Sequence, residues 1–160
     1  MASETGIALL GYLYTMYVET DPGRPSRFHD PNGRVVATAN LEAEWNGVLQ
    51  LGAFEFRFAL SDDSSYLNDL LGRRATATSL NGVTLIDGAD RRAGRYELAA
   101  IGHDRFELYR NDRNVAVLNH GRIGNRVGIA GESSMPAFVG LLATLIVAFV
   151  PPRYARDPAA

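Results

Sequence analysis

The most informative stretch of the sequence runs from Met135 to Val150 and reads MPAFVGLLATLIVAFV. It carries no charged residue and no strict alternation of apolar and polar positions, and Pro151-Pro152 follows it directly. These features predict a helix over residues 135–150 that is apolar on every side. Such a helix must be enclosed, either by lipid or by the rest of its own protein.

Helix length distinguishes the two environments. At 1.5 Å per residue the stretch reaches about 24 Å, whereas the hydrocarbon core of a bilayer is about 30 Å thick. Glu132 limits the apolar run on one side and the two prolines limit it on the other. Ser133 or Ser134 can cap the helix, with Pro136 in its first turn. We therefore favour a buried core helix, with a transmembrane tail anchor as the alternative.

The chain before this helix is rich in segments with strand character. Residues 54–58 read FEFRF, in which phenylalanines alternate with charged residues, as is typical of a strand with one buried face. Another strand is predicted over residues 7–19. Between residues 7 and 130 we predict roughly ten to twelve strands, with turn signals about every ten residues. No helical crossover of the βαβ type interrupts them, so the sheet should be antiparallel.

One short helix is predicted among these strands. Ser61-Asp62-Asp63-Ser64-Ser65 has the composition of a loop and helix cap, and Tyr66, Leu67, Leu70 and Leu71 follow at helical spacing. We expect one or two helical turns that end at Gly72.

A barrel of about twelve strands is wide, because barrel diameter grows with strand number. Its inward side chains alone cannot fill it, and a helix about 10 Å across suits the remaining space. We predict a mainly β, single domain over residues 1–152: a closed antiparallel barrel of about twelve strands that encloses a hydrophobic C-terminal α-helix. A polar tail follows at 153–160. A barrel that carries a small ligand beside the helix is a further alternative.

Composition restricts the classes of function. The formal net charge of −2 provides no general field that would attract nucleic acid. The chain contains no cysteine, which excludes thiol catalysis, disulfide scaffolds and cysteine-ligated metals. The segment Met1–Thr5 lacks the positive charge of a secretory signal, so we expect a cytoplasmic location.

The sequence contains no recognisable catalytic or metal-binding motif. His29, His103 and His120 lie in or beside predicted turns and lack the spacing of metal ligands, so we expect all three at the surface. Aspartates recur at turns, where hydrogen bonds to the local backbone explain them. Nucleophile-elbow, phosphate-loop and dinucleotide motifs are missing. We therefore expect no catalytic residues, no metal and no cofactor.

Two groups of arginines form the best candidate for an anion site. Arginine side chains suit phosphate because their planar forks donate paired hydrogen bonds. We predict a lipid-headgroup site at Arg91, Arg92, Arg95, Arg73 and Arg74, with Arg91 and Arg92 favoured because they share one loop. The competing interpretation is that these arginines are solvated surface charges.

Residues 28–36 read FHDPNGRVV and predict a hairpin in which Asn32-Gly33 supplies positive φ angles. This hairpin resembles the strand, Asp-x-x-Gly, strand units of the tubby C-terminal superfamily, which includes tubby proteins, LURP-one-related proteins and phospholipid scramblases. Tyr96–Leu98 and Phe106–Tyr109 resemble later strands of that family. The resemblance implies a twelve-stranded barrel around a very hydrophobic helix. The scramblases' calcium-binding and palmitoylation features do not match here, and the basic phosphoinositide residues do not align.

Together these observations predict a non-enzymatic binding or scaffold protein that associates with lipid or membrane surfaces. Its expected partners are anionic phospholipid or another protein, and nucleic acid is not expected. The rival is a tail-anchored membrane protein with a cytoplasmic β domain. Oligomeric state is left open by the sequence.

Overall fold

The computed structural model describes residues 15–19, 24–43, 46–70, 72–80, 83–88, 94–121, 126–132 and 135–150. Twelve strands and one helix, α1, lie within these ranges. The strands are β1 (Thr15–Glu19), β2 (Ser26–His29), β3 (Val35–Ala43), β4 (Asn46–Leu51), β5 (Phe54–Ala59), β6 (Ser64–Asp69), β7 (Gly72–Leu80), β8 (Val83–Gly88), β9 (Arg95–Ala100), β10 (Arg105–Arg110), β11 (Arg113–His120) and β12 (Arg126–Gly131). The predicted strand residues 7–14 and the predicted tail 153–160 lie outside the described residues.

The strands form a closed antiparallel barrel in which each strand pairs with its neighbours in sequence. Residues of one strand alternate between the two faces, so β5 directs Phe56 and Phe58 inward while Glu55 and Arg57 are exposed. Pairing of β1 with β12 closes the barrel, with Thr15 opposite Ala130. The predicted fold class is confirmed.

Consecutive strands run in opposite directions, so their connections alternate between the two ends of the barrel. The even-numbered strands all finish at the same end of the barrel, and β12 leads from this end into the helix. We name this end the upper rim. Its described connecting residues are Asp30–Arg34, Gly52-Ala53, Leu70, Gly94 and Asn111-Asp112. The opposite end is the lower rim, with the described connecting residues Arg24-Pro25, Leu60–Asp63, Ile101–Asp104 and Gly121.

Helix α1 spans Ala137–Phe149 and passes from the upper rim into the barrel. It packs mainly against β12, β7, β11 and β8. Its side chains with no exposed surface are Val139, Leu141, Leu142, Ala143, Leu145 and Val147. The helix therefore occupies the protein interior, which was the favoured of the two predicted environments. Within the part of the chain that the structure describes, no helix has the length and apolarity needed to cross a membrane.

The ends of α1 differ in detail from the prediction. Pro136 is the N-cap residue, with extended backbone angles, and no side chain caps the helix. Its carbonyl oxygen accepts the N–H groups of Val139 and Gly140. The predicted capping serines, Ser133 and Ser134, lie outside the described residues. Inside the helix, Thr144 Oγ1 donates to the carbonyl oxygen of Gly140 at 2.8 Å, which satisfies a buried hydroxyl.

A methionine side chain fills the space where the helix approaches the barrel wall. Met135 is buried, and its Cε would lie 2.8 Å from a Cβ atom at either Gly131 or Gly140. Cδ1 of Ile129 would lie 3.7 Å from the Cβ at Gly140. Two glycines therefore form a slot for Met135, whose unbranched thioether adapts to an irregular space.

The predicted helix after residue 65 is wrong, because this segment forms strand β6. Ser65 and Leu67 are buried while Tyr66 is half-buried, which is the two-residue period of a strand. The prediction failed because Leu70 is apolar although it occupies the connection between β6 and β7. Counted together with Tyr66 and Leu67 of the strand, Leu70 gives the spacing of apolar residues on one face of a helix.

The predicted hairpin at residues 28–36 is confirmed in the pairing of β2 with β3. Gly33 has a φ angle of 83°, which favours glycine, and its N–H donates to the Asp30 carbonyl at 3.0 Å. The Asp30 carboxylate accepts the backbone N–H groups of Asn32 and Arg34, both at 2.9 Å. Local backbone bonding therefore accounts for this turn aspartate, as predicted.

Candidate functional site at the upper rim

The described arginines of the predicted site lie at one end of the barrel. Arg73 and Arg74 begin strand β7, and Arg95 begins strand β9. Both odd-numbered strands start at the upper rim, with β8 between them. The barrel topology thus brings the three described arginines to the same rim. Arg91 and Arg92 belong to the segment that connects β8 with β9 and lie outside the described residues.

Arg74 serves the fold of the rim. The register of β6 and β7 shifts between Leu67 and Asn68, so Arg74 occupies a bulge. Its Nε donates to Asp69 Oδ2 at 2.6 Å, and its guanidinium carbon lies 5.9 Å from the ring centroid of Phe138. The pair therefore covers the first turn of α1, which leaves Arg74 poorly placed to bind an external anion.

Arg95 is also compensated by a carboxylate. Asp87 lies opposite it in the β8–β9 pairing, and two hydrogen bonds of 2.9 and 3.2 Å join the side chains. This hydrogen bonding, with the attraction of the carboxylate, raises the pKa of Arg95 above its ordinary value. The side chain is well exposed, so solvent screens the pair and an external anion can compete for the guanidinium.

Arg73 differs because it has an aromatic partner. Its guanidinium carbon lies 4.1 Å from the ring centroid of Tyr66, in a cation–π contact on the outer wall of the barrel. Such stacking uses the face of the guanidinium and none of its five N–H donors. Within the described ranges Arg73 has no ion pair with a carboxylate. Arg73 is therefore the described member of the predicted set best suited to phosphate.

Arg110 also lies at this rim, and the sequence analysis did not select it. Arg110 ends strand β10, half-buried, with its guanidinium carbon 5.7 Å from the ring centroid of the buried Tyr96. A Cβ atom at Gly94 would lie 3.1 Å from Arg110 Nε, and Gly94 has a φ angle of 79°. Arg110 thus lies beside the end of the segment that contains Arg91 and Arg92. A single arginine at a strand end gives no sequence signal of this position.

A second polar cluster lies at the barrel seam, where β12, β1 and β2 meet. The rings of Tyr17 and His29 stack with centroids 4.7 Å apart, and Arg126 lies over Tyr17 at 5.2 Å. Arg126 Nη2 is 3.4 Å from Glu19 Oε2. These residues join three strands across the closure, so the cluster stabilises the barrel.

His29 is the buried member of the seam cluster, at 7% exposure. Its Nδ1 donates to the Gly33 carbonyl at 3.2 Å. Its Nε2 is 2.8 Å from Glu19 Oε1, but the angle is unsuited to a hydrogen bond. This contact is an ion pair only in the protonated form of the imidazole. The surface position predicted for all three histidines is therefore wrong for His29.

The lower rim carries an open cleft of about 340 Å³. Its lining residues are Gly102, His103, Asp104, Arg105, Asn119 and His120. Among the described residues, no group of three or more histidine, aspartate or glutamate side chains is arranged to hold a metal ion. Arg105 Nη2 forms an ion pair of 3.0 Å with Glu107, so its charge is compensated.

The chain has low similarity to a solved plant protein. No family model matches the chain, and no curated protein matches it. The X-ray structure of a protein from Arabidopsis thaliana, AT5G01750, is similar at 14% sequence identity with a TM-score of 0.38. The match covers 86% of this chain and 93% of that chain. The barrel fold itself rests on the strand pairing described above.

Proposed function

We propose that this chain is a non-enzymatic, tubby-like binding module that attaches to anionic phospholipid surfaces through its upper rim. The observation that carries the proposal is the common position of Arg73 and Arg95 at the starts of β7 and β9. The segment that connects β8 with β9 contains two further arginines, Arg91 and Arg92. Four arginines from the starts of β7 and β9 and from the segment before β9 could therefore meet one membrane surface.

The chemistry of these side chains suits phosphate headgroups. Guanidinium groups donate paired hydrogen bonds to phosphate oxygens, and each basic residue near an anionic leaflet contributes about 1 kcal/mol of binding free energy. Arg73 is the strongest described contributor because its charge is not paired with a carboxylate within the described ranges. Arg95 would exchange its Asp87 partner for lipid.

The architecture of the barrel supports the proposal that the module is tubby-like. A closed barrel of twelve strands with a buried helix after the last strand is the architecture that the tubby resemblance implies. The hairpin around Asp30 has the expected strand, turn, strand form. We propose attachment to the cytoplasmic leaflet, where anionic lipids are concentrated.

Vesicle co-sedimentation tests this function. Wild-type protein should pellet with phosphatidylcholine vesicles that contain phosphatidylserine, and raising the salt concentration should release it. The triple variant Arg73→Ala/Arg91→Ala/Arg92→Ala removes three contributions of about 1 kcal/mol, so binding should weaken on the order of a hundredfold.

A matched variant at the lower rim controls for net charge. Arg24→Ala/Arg27→Ala/Arg105→Ala removes the same number of charges from exposed arginines at the other end of the barrel. This variant should bind vesicles within about threefold of wild type, since each distant charge is screened by salt. Equal losses in both triple variants would show that only net charge matters and would overturn the assignment to the upper rim.

A further inference from the structure

The connection between β6 and β7 presents a leucine to solvent at the upper rim. Asp69 pairs with Gly72, so two positions of the sequence separate the paired residues, and Leu70 is the one that the structure describes. Leu70 is 96% exposed, whereas the other exposed large hydrophobic residues of the described chain, Val35 and Leu41, are 50% and 41% exposed. Leu70 is thus the most water-exposed apolar side chain in that part of the molecule.

The turn does not need leucine for its conformation. Two-residue hairpin connections favour asparagine, aspartate and glycine. Here Gly72 supplies a φ angle of 127°, and its N–H donates to Asp69 Oδ1 at 3.1 Å. Asp69 and Gly72 therefore stabilise the turn. Leu70 adds only apolar surface, whose exposure to water is unfavourable.

The surroundings of Leu70 suit a membrane rather than an apolar protein pocket. Arg73 follows within the same hairpin and stacks on Tyr66, an amphipathic aromatic residue. An apolar tip, an aromatic residue and an arginine just behind the tip match the order of hydrocarbon, interface and headgroup phosphate. Peripheral membrane binding combines burial of apolar area with attraction to anionic lipid.

We propose that Leu70 inserts into the hydrocarbon edge of an anionic leaflet while Arg73 contacts headgroup phosphates. This inference rests on the proposed function, because the arginines bring the rim to the membrane. It adds a specific consequence, since the inserted leucine makes part of the binding independent of salt.

A single labelled cysteine measures insertion directly. The chain has no cysteine, so Leu70→Cys creates one site for an environment-sensitive nitrobenzoxadiazole dye. His103→Cys at the exposed lower-rim turn is the matched control. With phosphatidylserine vesicles, the dye at residue 70 should shift to the blue, and lipids with a quencher on the acyl chain should quench it. The dye at residue 103 should show neither effect.

The outcomes separate insertion from membrane binding itself. If the labelled proteins pellet with vesicles but the dye at residue 70 remains in water, insertion is overturned and the proposed function stands. If unlabelled wild type does not pellet, the proposed function and the insertion are both overturned. A blue shift that appears at high protein concentration without vesicles would show that residue 70 contacts a second copy of the chain. That result would overturn insertion.

A label-free comparison provides the second test. Leu70→Ser should weaken partitioning into anionic vesicles about tenfold and increase the fraction released by salt, because leucine burial is lost. Leu41→Ser removes an exposed leucine near the lower rim and should leave partitioning unchanged. Equal partitioning of Leu70→Ser and wild type would overturn the proposal.

Discussion

Arg74 Nε donates a 2.6 Å hydrogen bond to Oδ2 of Asp69 at the end of the β6–β7 hairpin. The other oxygen of the same carboxylate accepts the Gly72 N–H. One aspartate therefore holds both the turn and the arginine that covers the first turn of α1. The rim that carries Leu70 is fixed to the core by this pair.

Replacing Asp69 tests that connection. Asp69→Asn keeps an oxygen for the Gly72 N–H but leaves Arg74, whose side chain is 29% exposed, without its carboxylate. We expect the free energy of unfolding to fall by about 1–3 kcal/mol, since a partly buried charge loses its partner. Urea unfolding followed by circular dichroism measures the change. An unchanged midpoint would mean that the pair does not stabilise the rim.

Asp87→Asn should strengthen membrane binding. The substitution removes a negative charge from the upper rim and releases Arg95, so affinity for phosphatidylserine vesicles should rise about fivefold. Phosphatidylcholine vesicles serve as the control, because the gain requires anionic lipid. Weaker binding to anionic vesicles would indicate that Asp87 positions Arg95 for lipid.

The Asp87–Arg95 pair should give no pH dependence near neutrality. The carboxylate raises the pKa of Arg95, so its stabilisation is present below the ordinary guanidinium pKa and is lost only as the pH rises through the higher folded-state value. Both values lie in strongly alkaline solution. Unfolding midpoints of wild type and Asp87→Asn should therefore differ by a constant amount between pH 6 and 9, where the guanidinium of Arg95 stays charged.

Gly47 should not tolerate a side chain. A Cβ at this position would overlap the Asn40 carbonyl oxygen on β3 and lie 2.8 Å from Phe58 Cζ. Gly47→Ala should therefore lower the free energy of unfolding by about 1–3 kcal/mol through overpacking. Gly102→Ala is the matched control, since its Cβ would meet no atom within 4 Å. Equal urea midpoints for the two variants would contradict the close approach of β3 and β4.

Two leucine substitutions compare the core with the rim. Leu142 is fully buried in α1, so Leu142→Ala should reduce the free energy of unfolding by about 2–5 kcal/mol. Leu70→Ala should change it by less than about 0.5 kcal/mol because Leu70 is 96% exposed. Thermal unfolding of both variants gives the comparison. A large loss in Leu70→Ala would imply that the leucine packs within this chain.

Periodicity made the barrel and its helix predictable. The alternation around Phe56 indicates a strand with one buried face, and the apolar run from Met135 indicates a helix buried on all sides. The β6 segment was misread because Leu70 is apolar at a turn, where burial does not determine residue type. Local sequence cannot separate a strand with an apolar turn from an amphipathic helix.

Contacts within the site depend on register, which the sequence does not state. Arg73 and Arg74 look equivalent as neighbours, yet the bulge turns Arg74 toward Asp69 and leaves Arg73 on Tyr66. The pairing of Asp87 with Arg95 also follows from the alignment of β8 with β9. The sequence therefore does not separate Arg74, whose charge is paired with Asp69, from Arg73, which stacks on an aromatic ring.

The seam between β1 and β12 has a consequence for biosynthesis. Arg126 meets Glu19 across 107 positions of sequence, and the helix that fills the interior is translated later still. Until then, a growing chain carries inward-facing residues such as Phe56 and Leu67 without their final neighbours. Loop-closure entropy makes such distant pairing slow. The nascent protein should therefore depend on chaperones until synthesis has passed the helix.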